Sequence, residues 1–178
     1  MRKFHGAVVT LLTLVCGLGA ARPATAQSKS PARPAMSGKA AIEALERRYV
    51  KTFNAKDVNA IMANYAPGSQ LFVFDAVPPR EYPSWDSYKK DWEGLFAAFP
   101  GPVKDTMSDL SITVVGSVAY GHHIEDTHFT QKDGTGKELV VRVTDVFRKI
   151  GGKWLIVQEH VSFPVDIDSG KADLLSKP

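Results

Sequence analysis

Cysteine is almost absent from the chain. Only Cys16 among the 178 residues is a cysteine, and it lies inside an apolar run near the N-terminus. The sequence after this run therefore offers no thiol. This absence excludes disulfide bonds, a cysteine nucleophile and cysteine-ligated metal from the part of the chain that folds.

A hydrophobic run of membrane-spanning length is also absent. The N-terminal apolar run covers residues 7–21, whereas a spanning helix needs roughly 20 apolar residues. Arg2 and Lys3 precede this run, and an Ala-Thr-Ala cleavage site follows it at residues 24–26. These three parts are typical of an export signal. We predict a signal peptide over residues 1–26 and an exported protein, periplasmic or secreted, with an uncleaved membrane anchor as the alternative.

The mature chain carries no formal net charge. Three of the 22 lysines and arginines lie in the predicted signal peptide, so 19 remain, which equals the 19 aspartates and glutamates. A nucleic-acid-binding protein normally shows an excess of basic residues. We therefore predict no nucleic-acid partner, and no membrane partner after signal cleavage. The remaining length suits one domain.

Helical periodicity dominates the first part of the mature chain. Residues 27–38 are rich in serine and proline and predict a disordered linker. From residue 39 onward, apolar side chains recur at spacings of three and four and predict three helices. Asp57 is expected to cap the second helix and Ser84 the third. The aromatic stripe of the third helix, which begins at Trp85, is interpreted mainly as packed core rather than as a ligand platform.

After residue 102 the hydrophobic period changes to two, which is typical of strands. Asp-Gly and Gly-Gly pairs lie between the last three apolar runs and favour hairpin turns. The predicted strands are residues 70–75, 110–115, 118–130, 138–149 and 154–163. The predicted fold class is α+β, with a strongly curled antiparallel sheet of four long strands and a short one packed against three N-terminal helices.

The order of these elements resembles the nuclear transport factor 2-like superfamily in its SnoaL-like branch. The most telling residues are Thr-Asp-Val-Phe at 144–147 and Gly-Lys-Trp-Leu-Ile-Val-Gln-Glu-His-Val-Ser at 152–162. This ending is also similar to the association domain of calcium/calmodulin-dependent kinase II. The resemblance covers residues 39–166 and leaves residues 167–178 as a C-terminal tail. It implies a cone-shaped sheet with a pocket between the sheet and the helices. It also implies a protein that is commonly a dimer, assembled through the sheet.

The resemblance implies a fold rather than a reaction, because the superfamily includes steroid isomerases, polyketide cyclases, dehydratases and non-catalytic assembly domains. Ketosteroid isomerases use a carboxylate base together with a tyrosine and a protonated aspartic acid. Asp75 matches that base only loosely, and Asp145 is the nearest counterpart of the protonated acid. Steroid isomerisation is therefore not predicted.

Several polar side chains lie inside otherwise apolar strands, where burial without a partner costs roughly 1–3 kcal/mol. A pocket that contains water would provide these side chains with hydrogen-bond partners. Strand alternation places Gln158, His160 and Ser162 on one side of the last strand, and Asp145 on one side of the strand before it. Our candidate catalytic residues are Asp75, Asp145 and His160, although His160 could equally be a core histidine bonded to backbone. The candidate ligand-binding residues are Tyr65, Trp92, His122, Gln158 and Ser162.

A histidine-rich segment covers residues 121–128. Alternation places His122 on the side of Asp126 and His128, and places His123 with Glu125 on the other side. We expect His122 in the pocket wall and His123 outside. The segment matches no known metal-ligand spacing, so neither a metal nor a cofactor is predicted.

Two functional hypotheses follow from the sequence. In the first, the exported domain binds a small, partly apolar ligand in its pocket and, if catalytic, moves protons without a cofactor as an isomerase, cyclase or dehydratase does. In the second, the domain is a non-catalytic homodimer or ligand sensor, assembled through the sheet.

Overall fold

The protein is described by a computed structural model over residues 37–177, so the predicted signal peptide and nearly all of the predicted linker lie outside the described residues. The three predicted helices are confirmed as α1 (Gly38–Asn54), α2 (Val58–Met62) and α3 (Trp85–Ala98). Asp57 and Ser84 cap α2 and α3 by accepting backbone N–H bonds, as predicted. No helix within residues 37–177 is both long and apolar enough to cross a membrane.

The strands form one six-stranded, curved and unclosed sheet in the order β2-β1-β6-β5-β4-β3. The bounds are β1 (Phe72–Phe74), β2 (Glu81–Tyr82), β3 (Val103–Val115), β4 (Val118–Thr130), β5 (Gly136–Ile150) and β6 (Lys153–Ser162). The four long strands are antiparallel neighbours in chain order, which confirms the predicted meander.

The sheet departs from the prediction in two places. Strand β1 joins the edge of β6 in parallel, and the two-residue strand β2 extends that edge. Strand β3 begins at Val103, well before the predicted residue 110. Its first half was missed because the buried residue after Val103 is the carboxylate Asp105, so the apolar alternation that marks a strand is interrupted.

A β-bulge in β6 sets which residues face the helices. Phe147 of β5 pairs with Ile156, whereas the preceding Val146 pairs with Gln158. Val157 is therefore an extra residue. A one-residue insertion moves every following side chain to the opposite face of the sheet, so Glu159 is buried and His160 is exposed.

The core lies between the helices and this inner face of the sheet. Ring contacts join α1 to α3, with Phe53 and Trp92 edge to face at 5.0 Å between centroids. Tyr88, Trp92 and Phe96 are buried, which confirms that the aromatic stripe of α3 is largely core. On the other face of the sheet, alternate residues of β4 such as Tyr120 are exposed.

The chain beyond β6 returns along the sheet. Val165 and Ala172 form an isolated bridge, and the Val140 N–H of β5 donates to the carbonyl oxygen of Leu174 at 2.8 Å. Lys177 reaches the exposed side of the sheet, where its ammonium group lies 2.6 Å from Asp126. The predicted C-terminal tail is thus held against β4 and β5.

Candidate functional site

A cavity of about 130 Å³ lies between the inner face of the sheet and helices α1 and α3. Its wall is mostly aliphatic and aromatic, and carboxylates supply most of its polar groups. None of the described residues that line it is a lysine, an arginine or a histidine. The lining residues used below are Asp75, Tyr88, Trp92, Glu125, Thr127 and Glu159.

Glu159 is the most firmly held carboxylate of this wall. The Tyr65 hydroxyl donates to its Oε2 at 2.7 Å, and the Tyr88 hydroxyl donates to its Oε1 at 2.6 Å. Glu159 is 4% exposed. Burial raises the pKa of Glu159 above its ordinary value, while the two tyrosine hydrogen bonds act in the opposite direction. Both carboxylate oxygens are therefore fixed in place at the cavity.

Asp75 also lines the cavity, from the loop that follows β1. Its Oδ1 accepts a bond from the Val77 N–H at 3.3 Å, and the side chain is half-buried. Burial raises the pKa of Asp75, and the nearby charge of Asp91 raises it further. A carboxylate whose pKa moves toward neutrality is better suited to exchange protons with a ligand.

Trp92 contributes the cavity's unused donor. Its side chain is 4% exposed, and its indole N–H has no acceptor among the described residues. A buried N–H without a partner costs on the order of 1–3 kcal/mol. A ligand oxygen in the cavity would remove that cost.

Two further buried carboxylates flank the cavity. Asp105 of β3 accepts a hydrogen bond from the Thr127 hydroxyl at 2.6 Å, and its second oxygen has no partner among the described residues. Burial raises the pKa of Asp105 to about 8, with the charge of Glu125 adding to the effect. Burial likewise raises the pKa of Glu125 to about 8, and the charges of Glu159 and Asp75 reinforce it.

A compact group of ionisable residues lies next to the cavity wall. Glu46 comes from α1, His123 from β4 and Asp145 from β5, and all three are buried. The His123 Nε2 lies 3.2 Å from Glu125 Oε1, and its Nδ1 lies 3.8 Å from Asp145 Oδ2. Burial lowers the pKa of His123 and raises the pKa of Asp145. It also raises the pKa of Glu46 to about 7. The same burial that brings His123 within hydrogen-bond distance of Glu125 disfavours the charged form of both side chains.

A family model for the SnoaL-like domain matches residues 42–166, which contain every element from α1 to β6 except the first residues of α1. The chain belongs to the SnoaL-like domain family. No functionally curated protein matches it.

Solved structures show the same fold. An NTF2-like protein of unknown function from Pseudomonas putida KT2440 superposes with a TM-score of 0.70 at 27% identity, covering 81% of this chain and 100% of that one. A candidate scytalone dehydratase from Novosphingobium aromaticivorans gives 0.63 at 18% identity, covering 79% and 94%. A candidate calcium/calmodulin-dependent protein kinase II association domain from Xanthomonas campestris gives 0.61 at 20% identity, covering 76% and 94%.

Four of the predicted site residues lie on the inner side of this SnoaL-like domain. Asp75 and Trp92 line the cavity. Tyr65 is buried behind it and donates to Glu159. Asp145 is buried beside His123, on the same face as Val143 and Phe147, as alternation predicted.

The predicted positions of the other four are wrong. Gln158, His160 and Ser162 follow the bulge at Val157 and therefore face away from the helices, with Gln158 and His160 exposed. His122 is exposed whereas His123 is buried. The prediction correctly grouped the residues of β4 that share a face, but it assigned the inner face to solvent and the outer face to the pocket. The cause is that the inner face of this strand carries polar residues, whereas the outer face carries Tyr120 and Ile124.

The inner polar residues that sequence reasoning missed are Glu46, Asp105, His123, Glu125 and Glu159. Glu46 looks like a solvent-facing member of an amphipathic helix, although it is 1% exposed. Glu159 alternates with residues that would face the core if β6 had no bulge. A sequence signal for β4 did exist: Ala119, Gly121 and Phe129 share the parity of His123 and are all buried.

Proposed function

We propose that this SnoaL-like domain binds a small, partly apolar molecule in the cavity between α1, α3 and the sheet. The observation that carries the proposal is a largely apolar, ring-lined cavity whose wall also holds carboxylates, among them Asp75 and Glu159, and the Trp92 N–H, which has no partner among the described residues. Ligand pockets typically combine such walls with a few placed polar groups. An apolar cavity of roughly 150 Å³ accommodates benzene, so a single-ring ligand matches the size found here.

The polar groups suit a ligand that carries a carbonyl oxygen. The Trp92 indole N–H would donate to that oxygen, and the Asp75 carboxylate would remove a proton from the adjacent carbon. Electron density that moves toward the oxygen is then stabilised by the N–H. This is cofactor-free proton transfer of the isomerase, cyclase or dehydratase type, and the dehydratase name of one structural relative supports the class.

The proposal is tested by incubating the purified protein with 2-cyclohexenone and other single-ring ketones in deuterated water. Binding is measured as a saturable rise in Tm, and proton removal as loss of the α-proton NMR signal. We expect Asp75→Asn to retain binding and to slow exchange by about 100-fold, a typical contribution of a general base. We expect Trp92→Phe to weaken binding by about tenfold.

Glu93→Gln serves as the matched control, because Glu93 lies on α3 next to Trp92 but is exposed. This variant should bind and exchange as the unmodified protein does. A panel of single-ring ketones, lactones and phenols without any saturable Tm shift would overturn the binding proposal. Binding with exchange that Asp75→Asn leaves unchanged would overturn the role of Asp75 alone.

A second candidate function is assembly through the outer face of the sheet. This face carries exposed aromatic side chains, with Phe74 38% exposed and Tyr120 53% exposed. The Phe74 ring contacts His160 at 5.6 Å between centroids. A homodimer would cover these side chains. Sedimentation equilibrium tests it: we expect Phe74→Asp to convert a dimer to a monomer, and a monomeric unmodified protein would refute it.

Export is part of the proposal as well. It is supported by the charged start, the apolar run and the Ala-Thr-Ala site of residues 1–26. N-terminal sequencing of protein recovered from the periplasm or medium should give a chain that begins at Gln27. A retained Met1 would favour an uncleaved anchor.

A further inference from the structure

The group formed by Glu46, His123 and Asp145 has the composition and spacing of a metal site. Each residue offers one ligand atom, and these atoms lie within 4.8 Å of one another. The three side chains come from α1, β4 and β5, so they are brought together only by the folded domain. Their exposed fractions are 1%, 3% and 1%. None of the three lines the cavity.

One polar side-chain atom of each of the three residues lacks a hydrogen-bond partner. Glu46 Oε1, His123 Nδ1 and Asp145 Oδ1 are buried and accept or donate no hydrogen bond among the described residues. A buried polar atom that has no hydrogen-bond partner destabilises the folded state. Three such atoms in one small space indicate that something absent from the protein chain fills it.

No side-chain cation of the described residues does so. Among residues 37–177, no lysine or arginine forms an ion pair with Glu46 or Asp145. Arg48 lies two residues after Glu46 in α1, but its guanidinium group donates two hydrogen bonds to Asn64 Oδ1, at 3.0 and 2.6 Å. The two carboxyl groups are therefore left without a lysine or arginine partner among the described residues.

Glu125 holds His123 in the orientation that a metal ligand requires. Its Oε1 lies 3.2 Å from His123 Nε2, so it can accept the Nε2–H and leave the Nδ1 lone pair directed toward the acidic pair. A metal-bound histidine commonly donates its other ring N–H to a carboxylate in this way. His123 Nδ1 and Asp145 Oδ2 are 3.8 Å apart, which is close to the separation of two ligands on one zinc ion.

We propose that Glu46, His123 Nδ1 and Asp145 bind one divalent transition-metal ion, with Zn²⁺ as the best match to one imidazole and two carboxylates. Glu125 is a positioning residue that orients the histidine. Closure onto the ion requires each ligand atom to move by less than about 1 Å, given zinc–ligand distances near 2.1 Å. The three ligand residues lie outside the cavity wall, which the site meets only through Glu125.

The test uses the purified full-length protein, stripped with a chelator, reloaded with Zn²⁺ and desalted. We expect one zinc per chain by elemental analysis, a higher Tm than that of the stripped protein, and loss of both effects in Glu46→Gln and Asp145→Asn. Glu125→Gln should retain the ion but raise the Kd by 10- to 100-fold, in the range found for residues that orient ligands.

The surface group of Asp126, His128 and Glu138 supplies the control, because it also offers three ligand atoms. His128→Gln should leave the zinc content unchanged. Zinc content that falls in His128→Gln but persists in Glu46→Gln would assign the ion to the surface and overturn the proposal. Fewer than one zinc per two chains in the reloaded, unmodified protein would overturn it as well.

A spectroscopic measurement on the unmodified protein tests the site even if the ligand variants fail to fold. Co²⁺ loaded in place of Zn²⁺ should give visible d–d absorption bands in the unmodified protein and in His128→Gln. Addition of excess Zn²⁺ should remove the bands. The absence of these bands from folded, Co²⁺-loaded, unmodified protein would contradict the site without reference to any ligand variant.

Discussion

Strands β4 and β5 place acidic side chains on both faces of the sheet, and β4 adds histidines to both faces. The two resulting clusters balance their charges differently. On the outer face, the Lys177 ammonium lies 2.6 Å from Asp126 and 3.1 Å from Glu138. On the inner face, Glu46 and Asp145 surround His123 and no lysine or arginine pairs with them within residues 37–177. The residue types are the same, and the surroundings differ.

Solvent accounts for the difference. The side chains of Lys177 and His128 are about half exposed, at 54% and 50%, so water shares in stabilising the outer cluster. The inner cluster is shielded from water, and burial is the leading cause of its raised carboxyl pKa values. An exposed ion pair on this sheet therefore contributes little to the free energy of unfolding, whereas a buried carboxylate makes that free energy depend on protonation or on a bound cation.

The largest expected difference between the faces comes from packing. Phe147→Ala removes a side chain that is 0% exposed on the inner face and should lower the free energy of unfolding by about 3–5 kcal/mol. Tyr120→Ala on the outer face, at 53% exposure, should change it by about 0.5 kcal/mol or less. Urea unfolding at low protein concentration measures both. Equal losses would show that the outer face is buried in solution.

Hydrogen bonds to Glu159 should give the next largest effect. Tyr65→Phe and Tyr88→Phe each remove one donor from a buried carboxylate and should cost about 1–3 kcal/mol. Tyr120→Phe is the control, since this tyrosine is exposed. The same urea titrations check the prediction. A variant as stable as the unmodified protein would mean that Glu159 needs no tyrosine partner.

Asp105, on the inner face, should make the free energy of unfolding depend on pH. Its pKa in the folded state is about 8, above the value of 3.8 for an unperturbed aspartate. The folded state therefore holds this proton more tightly than the unfolded chain does. The resulting stabilisation is fully present below pH 3.8, decreases by about 1.4 kcal/mol per pH unit as the pH rises above that value, and is lost once the pH has risen through 8.

Asp105→Asn should remove this contribution to the pH dependence. Urea unfolding of chelator-treated protein at intervals from pH 5 to pH 9 would show the variant losing less stability per pH unit than the unmodified protein. The comparison at pH 5 acts as an internal control for the effect of the amide itself. Parallel stability curves would contradict a raised pKa for Asp105.

The sequence predicted the fold well because its main signals are local. Caps at Asp57 and Ser84, a helical apolar stripe and glycine-containing turns each act within a few residues. The parallel pairing of β1 with β6 was not predictable in the same way, since it joins Phe72 to Gln158 far along the chain. Strand pairing between distant segments leaves no periodic signal in either strand.

The inner polar groups were predictable only in part. Asp145 follows the apolar parity of β5 and was assigned to the correct face. His160 was assigned to the wrong face, because the bulge at Val157 moves every later side chain of β6 to the opposite face. No residue type in the sequence marks the position of this bulge. His123 and Glu125 lie at inner positions of β4 where apolar residues are expected, so ordinary alternation assigned them to solvent. Hydrophobic periodicity cannot identify a cluster of buried polar residues, because such residues occupy inner positions without being apolar.

The smallest expected effect concerns the outer cluster itself. Lys177→Ala removes an exposed ammonium group from Asp126 and Glu138, and such pairs contribute little because water and salt screen them. We expect a small loss of unfolding free energy in low salt that disappears in 1 M NaCl, measured against Lys171→Ala at another exposed position of the tail. A loss that persists in 1 M NaCl would mean that Lys177 fixes the tail through packing, because screening removes only the electrostatic part of its interaction.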